Sequence, residues 1–296
     1  MIKLKQDNAV EKNGENITMT VIVISNKSHL NVWRLTSELL LKNVWATEYL
    51  LYVPEDEIQL FRDITPKTIK IEKQESLGIL YFQKLHDELN ECNNLKRFGW
   101  YLQQFYKIEA LTKANTDIVA IWDSDCVPVK RIALNNANKL LFMKCSNEHH
   151  YPYFENIKRL LELKKKNSYS FVIPGFPFKK KWVSEFIDEV EKINSLNWYE
   201  AIIKKTNFKL KSGFSETETL GTWMASRYPN EWELIEGSWE RLGQSRFGLA
   251  ENINTSQLEK IGAVHDLDII SFENWDVDNF GKKIKRMIKS LKMKIG

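Results

Sequence analysis

One stretch of the chain, residues 117–129, constrains the fold more than any other. It reads Asp-Ile-Val-Ala-Ile-Trp-Asp-Ser-Asp-Cys-Val-Pro-Val, an apolar run that stops at two aspartates. Such a run, β-branched at three positions, predicts a strand that is buried on both faces of a parallel sheet. The carboxylates of Asp123 and Asp125 should therefore lie at the carboxyl end of a strand, where open α/β sheets bind their ligands.

Asp123 and Asp125 are separated by one residue, so both side chains can reach one hard cation. Mg²⁺ or Mn²⁺ suits this pair, because such ions take oxygen ligands and keep positions for water or phosphate. A cation held there can neutralise a diphosphate leaving group. Two solvated loop carboxylates explain the same pattern in many chains. The position after a buried strand and before Pro128 favours the metal site.

The composition is that of a globular protein and argues against several other classes. The chain has 296 residues, of which 43% are hydrophobic and 28% charged, enough for one large or two modest cores. We expect one domain over residues 17–275. The three cysteines lack paired or metal-ligand spacing, which indicates a reducing cytoplasm. The sequence shows no signal peptide and no membrane-spanning run, and we expect no nucleic-acid partner.

The first strand is predicted shortly after a polar beginning. Residues 1–16 lack periodicity, which predicts a flexible leader. Ile17–Ile24 has the composition of a central strand, and the loop Ser25-Asn26-Lys27-Ser28 follows with a helix N-cap candidate. Ser25 and Lys27 are candidate donor-binding residues in this loop. An ordinary capped turn explains them equally well.

The rest of the first half alternates helical and strand patterns, as in a β-α-β protein. The predicted elements are a helix over Leu30–Lys42, strands over Glu48–Val53 and Ile69–Ile71, and helices over Leu80–Glu91 and Arg97–Leu111. On the last helix, Trp100, Gln104 and Lys107 share one face. Lys107 can thus reach a phosphate as a point charge, although a solvated surface lysine is the more common outcome.

The second half of the chain shows the same alternation. The predicted elements are a helix over Phe154–Lys166, a strand over Tyr169–Ile173 that Pro174-Gly175 ends, and a helix over Lys181–Ile193. Further on, Gly-Gln-Ser-Arg-Phe-Gly at residues 243–248 predicts a mobile loop over a bound donor.

Two glutamates begin another predicted helix. Ser215 is a good N-cap, and Glu218 falls at the capping-box position, where its side chain would bond to the amide of the cap residue. Glu216, at the first helical position, has no such structural explanation. A carboxylate that faces the metal site from the head of a helix suits a general base for an acceptor hydroxyl. Both remain catalytic candidates, with Glu216 ahead of Glu218.

These motifs together resemble a known class of enzymes. The order Gly-Trp-Tyr-x-Gln-Gln, then Lys107, then Asp-x-Asp at a strand end, then Ser-Glu-x-Glu with Gly221 just beyond, is similar to a group of bacterial and viral glycosyltransferases of the GT-A class. The resemblance covers residues 17–265. It implies an α/β, Rossmann-like single domain with a mainly parallel central sheet flanked by helices.

The resemblance also implies a nucleotide-diphosphate sugar as donor, bound through a divalent metal on the two aspartates. We expect Gln104 and Ser124 to contact this donor. In several GT-A relatives a C-terminal histidine completes the metal shell, so His265 is a candidate third ligand, although a structural hydrogen bond is the more common role. Residues 174–178, Pro-Gly-Phe-Pro-Phe, stand where the relatives lead us to expect a histidine-bearing loop, a departure on the acceptor side.

The expected activity is transfer of the sugar to a hydroxyl of a glycan or lipid-linked glycan, as in surface polysaccharide synthesis, with inversion at the anomeric carbon. Two alternatives stay open. A retaining enzyme needs no general base, and a non-catalytic nucleotide- or glycan-binding module needs no carboxylate at Glu216.

Residues 276–296 are predicted to form a basic amphipathic helix. Five apolar residues recur there at spacings of three and four, and seven lysines and arginines fill the other faces. This pattern is typical of a helix that lies in a membrane interface, where each basic residue contributes about 1 kcal/mol near an anionic leaflet. A helix docked on the protein's own core is the alternative. We expect a cytoplasmic protein that attaches peripherally to the inner face of a membrane.

Overall fold

The computed structural model describes residues 11–12, 15–78, 80–136 and 139–276. The strands are β1 (Glu11–Lys12), β2 (Glu15–Asn16), β3 (Met19–Ile24), β4 (Glu48–Val53), β5 (Ile69–Lys73), β6 (Ile118–Asp123), β7 (Cys126–Pro128), β8 (Asn135–Asn136), β9 (Lys139–Lys144), β10 (Gly175–Lys179), β11 (Trp232–Glu236), β12 (Trp239–Glu240) and β13 (Ile269–Ser271). The helices are α1 (Leu30–Asn43), α2 (Ile58–Arg62), α3 (Phe82–Glu91), α4 (Phe98–Lys113), α5 (Tyr151–Leu161), α6 (Lys180–Asn194), α7 (Trp198–Lys205), α8 (Glu216–Arg227), α9 (Gly243–Phe247) and α10 (Thr255–His265).

Two predicted segments reach beyond the described residues. Of the predicted leader, residues 1–10 lie outside them, whereas β1 and β2 pair antiparallel. The basic helix predicted over residues 276–296 lies outside them from residue 277 onward. None of the described helices is long and apolar enough to cross a bilayer.

The central sheet has five strands in the order β10-β6-β3-β4-β5. β6, β3, β4 and β5 run parallel, and β10 runs antiparallel to β6. This arrangement confirms the predicted α/β fold with a mainly parallel sheet flanked by helices. In the register of β3 with β6, Ile24 lies beside Asp123, so both strands end at the same edge.

Among the described residues, two apolar cores hold the helices against the sheets. The main core contains strands β3, β4 and β6 together with helices α4, α6 and α8. α1 contributes to both cores, because Trp33 packs in the main core and Leu35 packs in a smaller one with Leu258 of α10. Each of these three side chains is fully buried. The buried face of α1 therefore joins the central sheet to the C-terminal elements.

The strand predicted over Tyr169–Ile173 is wrong, and the chain instead forms β10 immediately after it. The backbone of Phe171 donates to the carboxylate of Glu218 (3.0 Å) rather than to a neighbouring strand. Gly175, predicted to end the strand together with Pro174, instead begins β10, and Pro177 lies within β10 opposite Ala120.

Pro177 is tolerated because of its position in the antiparallel pairing. Backbone hydrogen bonds join Asp123 to Pro174 (3.1 Å) and Lys180 to Asp117 (2.9 Å). Hydrogen-bonded pairs alternate with non-hydrogen-bonded pairs along an antiparallel ladder. The pair of Pro177 with Ala120 is therefore a non-hydrogen-bonded one, and the missing N–H of Pro177 points away from β6.

Two further predictions differ from the structure in extent or type. The helix predicted to reach Lys166 ends at Leu161, where Glu162 adopts a left-handed conformation (φ 59°) and terminates α5. The loop predicted over residues 243–248 contains the one-turn helix α9.

Smaller sheets complete the fold, one of them in the order β11-β9-β8. Another, in the order β12-β13-β7, brings the C-terminal part of the domain back to the end of β6. Just beyond β13, the backbone N–H of Phe272 donates to the carbonyl of Asp125 (2.9 Å). This contact carries Glu273 towards the same region as the two aspartates.

Candidate functional site

A cavity of about 910 Å³ opens at the edge of the sheet where β3 and β6 end. Its volume is within the range of small-molecule sites. The acidic side chains that line it are Asp123, Asp125, Glu148, Glu216 and Glu273, and the basic ones are Lys96, Arg97, Lys107, Lys211 and Arg241. Its aromatic side chains are Trp100, Tyr106, Tyr153, Trp239 and Trp275. Charged groups that converge with aromatic surfaces suit a polar ligand with rings.

Asp123, Ser124 and Asp125 all line this cavity, as their place after a buried strand predicts. The two aspartates are half-buried, whereas Ser124 is buried. The hydroxyl of Ser124 lies 2.7 Å from Nδ1 of His29, which also lines the cavity. His29 was missed in the sequence. Its place directly after the loop that follows β3 was the available signal.

Lys107 is buried at the cavity wall, contrary to the expectation for a surface lysine. Its ammonium lies 2.7 Å from the Asp123 carboxylate and 2.8 Å from the Glu216 carboxylate. Burial lowers the pKa of Lys107, but the attraction and hydrogen bonds of the two carboxylates outweigh it and leave the pKa above its ordinary value. The ammonium of Lys107 therefore lies between the carboxylates of Asp123 and Glu216 and holds both in place.

Gln104 and Ser215 fix the start of α8 and thereby the position of Glu216. Ser215 caps the helix by accepting from the backbone N–H of Glu218 (3.3 Å). The side-chain oxygen of Gln104 accepts from the backbone N–H of Glu216 (3.1 Å). Gln104 is buried and lines the cavity, and this bond ties α4 to the head of α8. The Glu216 carboxylate then faces the cavity.

Glu218 does not act as the predicted capping box. Its carboxylate is buried and accepts instead from the ammonium of Lys165, the hydroxyl of Ser170 (3.1 Å) and the backbone N–H of Phe171 (3.0 Å). It does not line the cavity. The geometry assigns Glu218 to the interior of the domain and leaves Glu216 as the carboxylate of this helix that a substrate can reach.

The two residues expected to bind a donor from the loop after β3 do not line the cavity. Ser25 is fully buried, and its carbonyl accepts from the side chain of Gln74 (2.6 Å). Lys27 is exposed, and its ammonium lies 3.7 Å from the carboxylate of Glu57. The structure thus supports the capped-turn interpretation of both residues.

The structure does not bring His265 to the two aspartates. His265 is exposed at the end of α10, where its ring contacts Phe247 at a centroid distance of 5.4 Å. The prediction that His265 is the third metal ligand is therefore wrong. The acidic residue from this part of the chain that lines the cavity is Glu273, which was not predicted because no sequence motif surrounds it.

Glu273 belongs to a charged network on the cavity wall. Arg241 donates from Nε to Glu273 (2.9 Å) and from Nη1 to Glu148 (3.1 Å). Burial raises the pKa of Glu273 and the nearby Asp125 adds to this, whereas Arg241 opposes it, so the pKa lies above its ordinary value. Lys107 and Arg241, on this side of the cavity, therefore each have two carboxylate partners.

The residues at the end of β6 fit a hard divalent cation with two protein ligands. Within the described part of the chain, no group of three histidine, cysteine or acidic side chains is placed to hold a metal ion. Asp123 and Asp125 offer carboxylate oxygens, the donor type that Mg²⁺ and Mn²⁺ prefer. Such a site fits ions that take their remaining ligands from water or from phosphates of a substrate.

Comparison with known proteins identifies one family. The model of a family described as "Family of unknown function (DUF6492)" matches residues 28–236, about seven tenths of the chain. The matched part includes α4, the two aspartates and α8. No curated protein matches the chain.

Proposed function

Since the chain belongs to this family of unknown function, we propose its activity from its own residues: a metal-dependent glycosyltransferase that uses a nucleotide-diphosphate sugar. The observation that carries the proposal is the cavity at the carboxyl ends of β3 and β6, where Lys107 joins Asp123 to Glu216. Ligands of open α/β sheets bind at this edge. A donor sugar and part of an acceptor fit a volume of about 910 Å³.

In the proposed reaction, an acceptor hydroxyl attacks the anomeric carbon while the bond from that carbon to the diphosphate breaks. Glu216 accepts the proton of the hydroxyl, and the bonding electron pair leaves with the nucleoside diphosphate. Lys107 keeps the Glu216 carboxylate in place and shares its charge with Asp123. A divalent cation held by Asp123 and Asp125 would supply positive charge for the leaving diphosphate.

One observation favours a retaining reaction as the second candidate. One oxygen of the Glu216 carboxylate is already engaged by the ammonium of Lys107 before any acceptor arrives. A retaining transfer requires no general base at this position. The anomeric configuration of the product, measured by NMR, distinguishes the two routes.

The metal and donor are tested together by calorimetry with Mn²⁺ and a panel of uridine and guanosine diphosphates. We expect the wild-type protein to bind one of them only in the presence of the metal. Asp125→Ala should abolish this binding while the protein stays folded, because Asp125 lies at a strand end outside the core. Asp188→Ala, on the exposed face of α6, is the matched control. Wild-type affinity in Asp125→Ala would contradict the proposal.

We propose a lipid-linked or other glycan acceptor at the inner face of a cytoplasmic membrane, with residues 280–296 as the attachment. The support is the basic and apolar pattern of that segment. Flotation with anionic liposomes tests it. Binding that is lost on deletion of residues 280–296 and weakened by salt supports attachment, and no binding at low salt removes it.

A further inference from the structure

The cavity has a second charged region, which we call the basic end, formed by Lys96, Arg97 and Lys211. Among the described residues, no carboxylate lies within 4.0 Å of any of these three cations. Lys107 and Arg241, which line the same cavity, each have two carboxylate partners. Near the aspartates, the cations that line the cavity are therefore paired with carboxylates. At the basic end, they have no carboxylate partner among the described residues.

The basic end is held in place by a network of side-chain to backbone hydrogen bonds. Arg97 donates from Nε to the carbonyl of Lys211 (2.9 Å), which sets these two residues side by side. Asn94 donates to the carbonyl of Phe208 (2.8 Å), and the backbone N–H of Gly213 donates to the hydroxyl of Tyr101 (2.7 Å). The segment that carries Lys211 is thus fixed to the head of α4 before any ligand arrives, which lowers the entropic cost of binding.

Arg97 also lies over an aromatic surface. Its guanidinium carbon is 4.1 Å from the ring centroid of Trp100, and both side chains are half-buried. Burial lowers the pKa of Arg97 from its ordinary value, since no carboxylate compensates for the lost water. The carbonyl of Lys211 uses only Nε of Arg97. The two terminal amino groups of Arg97 can therefore donate hydrogen bonds to a planar or tetrahedral anion.

We propose that the basic end binds a phosphate or carboxylate group carried by the acceptor glycan. This inference rests on the proposed glycosyltransferase function. A divalent cation at Asp123 and Asp125 would supply positive charge for a donor diphosphate beside the aspartates. The three cations of the basic end have no carboxylate partner among the described residues, and this indicates a second anion there. Trp100 offers a ring face beside them, a surface on which sugars pack.

The first test measures the binding of glucose 6-phosphate, glucuronate and glucose to the full chain by calorimetry at low salt. We expect either anionic sugar to bind at least about tenfold more tightly than glucose, because charged hydrogen bonds to Lys and Arg are among the strong ones. Added salt should weaken this binding. Equal affinity for the three sugars, or no binding of the anionic ones, would overturn the proposal.

Two variants test the location. Gly99 lines the cavity two residues after Arg97, and a Cβ there would meet no atom within 4 Å, so a side chain can start at this position and Gly99→Glu adds an anion. We expect Gly99→Glu and the double variant K96A/K211A each to weaken glucose 6-phosphate binding at least about tenfold. Gly99→Ala and Lys209→Ala, the latter at an exposed lysine outside the cavity, are the controls. Unchanged binding in both test variants would contradict the site.

A second arm separates the acceptor from the donor and separates this proposal from the proposed function. Uridine or guanosine diphosphate with Mn²⁺ should bind K96A/K211A as it binds the wild type, whereas Asp125→Ala should lose the nucleotide and keep glucose 6-phosphate. If K96A/K211A instead loses the nucleotide, the basic end serves the donor phosphates and the acceptor proposal is wrong. If the wild type binds glucose 6-phosphate but no nucleotide, the anion site is supported and the proposed nucleotide-diphosphate sugar donor is wrong.

Discussion

Glu216 and Glu218 begin the same helix, are both buried and both pair with a lysine, yet they belong to two different regions of the molecule. Glu216 faces the cavity and meets Lys107, which also contacts an aspartate at the end of β6. Glu218 faces the interior and meets Lys165, whose ammonium lies near the rings of three aromatic side chains. One pair borders water and a ligand site, and the other is enclosed by protein.

The separation follows from helix geometry. Residues that are two positions apart on an α-helix are rotated by about 200° around its axis, so their side chains point to opposite faces. The interior face needs close contact with the chain segment before β10, and Gly221 permits it, because a Cβ there would clash with the ring of Phe171. The head of α8 is therefore anchored through Glu218 while Glu216 is presented to the cavity. A buried ion pair is by itself no sign of catalysis.

The largest effect is expected at the enclosed pair. Glu218→Ala leaves the Lys165 ammonium buried without a partner and frees the backbone N–H of Phe171. Removal of one partner from a buried pair costs about 3–5 kcal/mol. We expect the free energy of unfolding, measured in urea, to fall by this amount.

The double variant K165M/E218L is the control for this loss. It removes both charges and replaces them with apolar side chains of similar volume, so we expect it to be more stable than Glu218→Ala. If Glu218→Ala unfolds at the same urea concentration as the wild type, Glu218 does not anchor the helix and the comparison fails.

At the cavity pair of Glu216 with Lys107, we expect a substitution to lower activity strongly and stability only slightly. If the proposed reaction is inverting, Glu216→Gln should lower turnover about a hundredfold, roughly 2.7 kcal/mol in activation free energy. Its unfolding free energy should change by less than about 1 kcal/mol, because an amide oxygen still accepts from Lys107. Product formation from the donor that calorimetry identifies is the measurement. Near-normal turnover would favour the retaining route.

The smallest effect is expected at the far end of α8, where Arg227 pairs with Glu189 near the surface. Burial raises the pKa of Glu189, but the hydrogen bonds from Arg227 and Trp223 outweigh it, so the pKa lies below its ordinary value of 4.5. Its contribution is therefore present above pH 4.5 and is lost as the pH falls through the lowered pKa.

We expect Glu189→Gln to remove less than about 1 kcal/mol at pH 7 and to reduce the loss of stability between about pH 5 and pH 3. Urea unfolding across that range measures it. A loss as large as that of Glu218→Ala would show that exposure does not separate the pairs of this helix.

Local sequence patterns predicted the elements that depend on neighbours along the chain. β6 and its two aspartates were predicted because a run of apolar residues and an abrupt polar end are both local. β10 was not predicted because Pro177 and Gly175 usually end strands, and only an antiparallel partner with the right register makes them acceptable. Residues 169–173 have the composition of a strand, but the backbone N–H of Phe171 donates to Glu218 instead of to a neighbouring strand.

At the candidate site, the sequence predicted several of the residues that line the cavity but not the side chains that contact them. Gln104, Ser124 and Glu216 do line the cavity. The burial of Lys107 depends on Glu216, more than a hundred residues further along, which no spacing rule relates to it. Glu273 was not predicted because no sequence motif surrounds it, and His265 was expected as a metal ligand from the resemblance to GT-A relatives.

The buried position of Pro177 has a consequence for the hydrogen bonds that the edge of this sheet must satisfy. β10 lies at one end of the five-stranded order, yet Phe176, Pro177 and Phe178 are buried and β10 contacts β9, so this edge is covered by protein. Any residue other than proline at position 177 would place an N–H there that points away from β6, with no described strand of the same sheet to accept it. An unpaired buried donor costs about 1–3 kcal/mol, so Pro177→Val should lower the free energy of unfolding by about this amount.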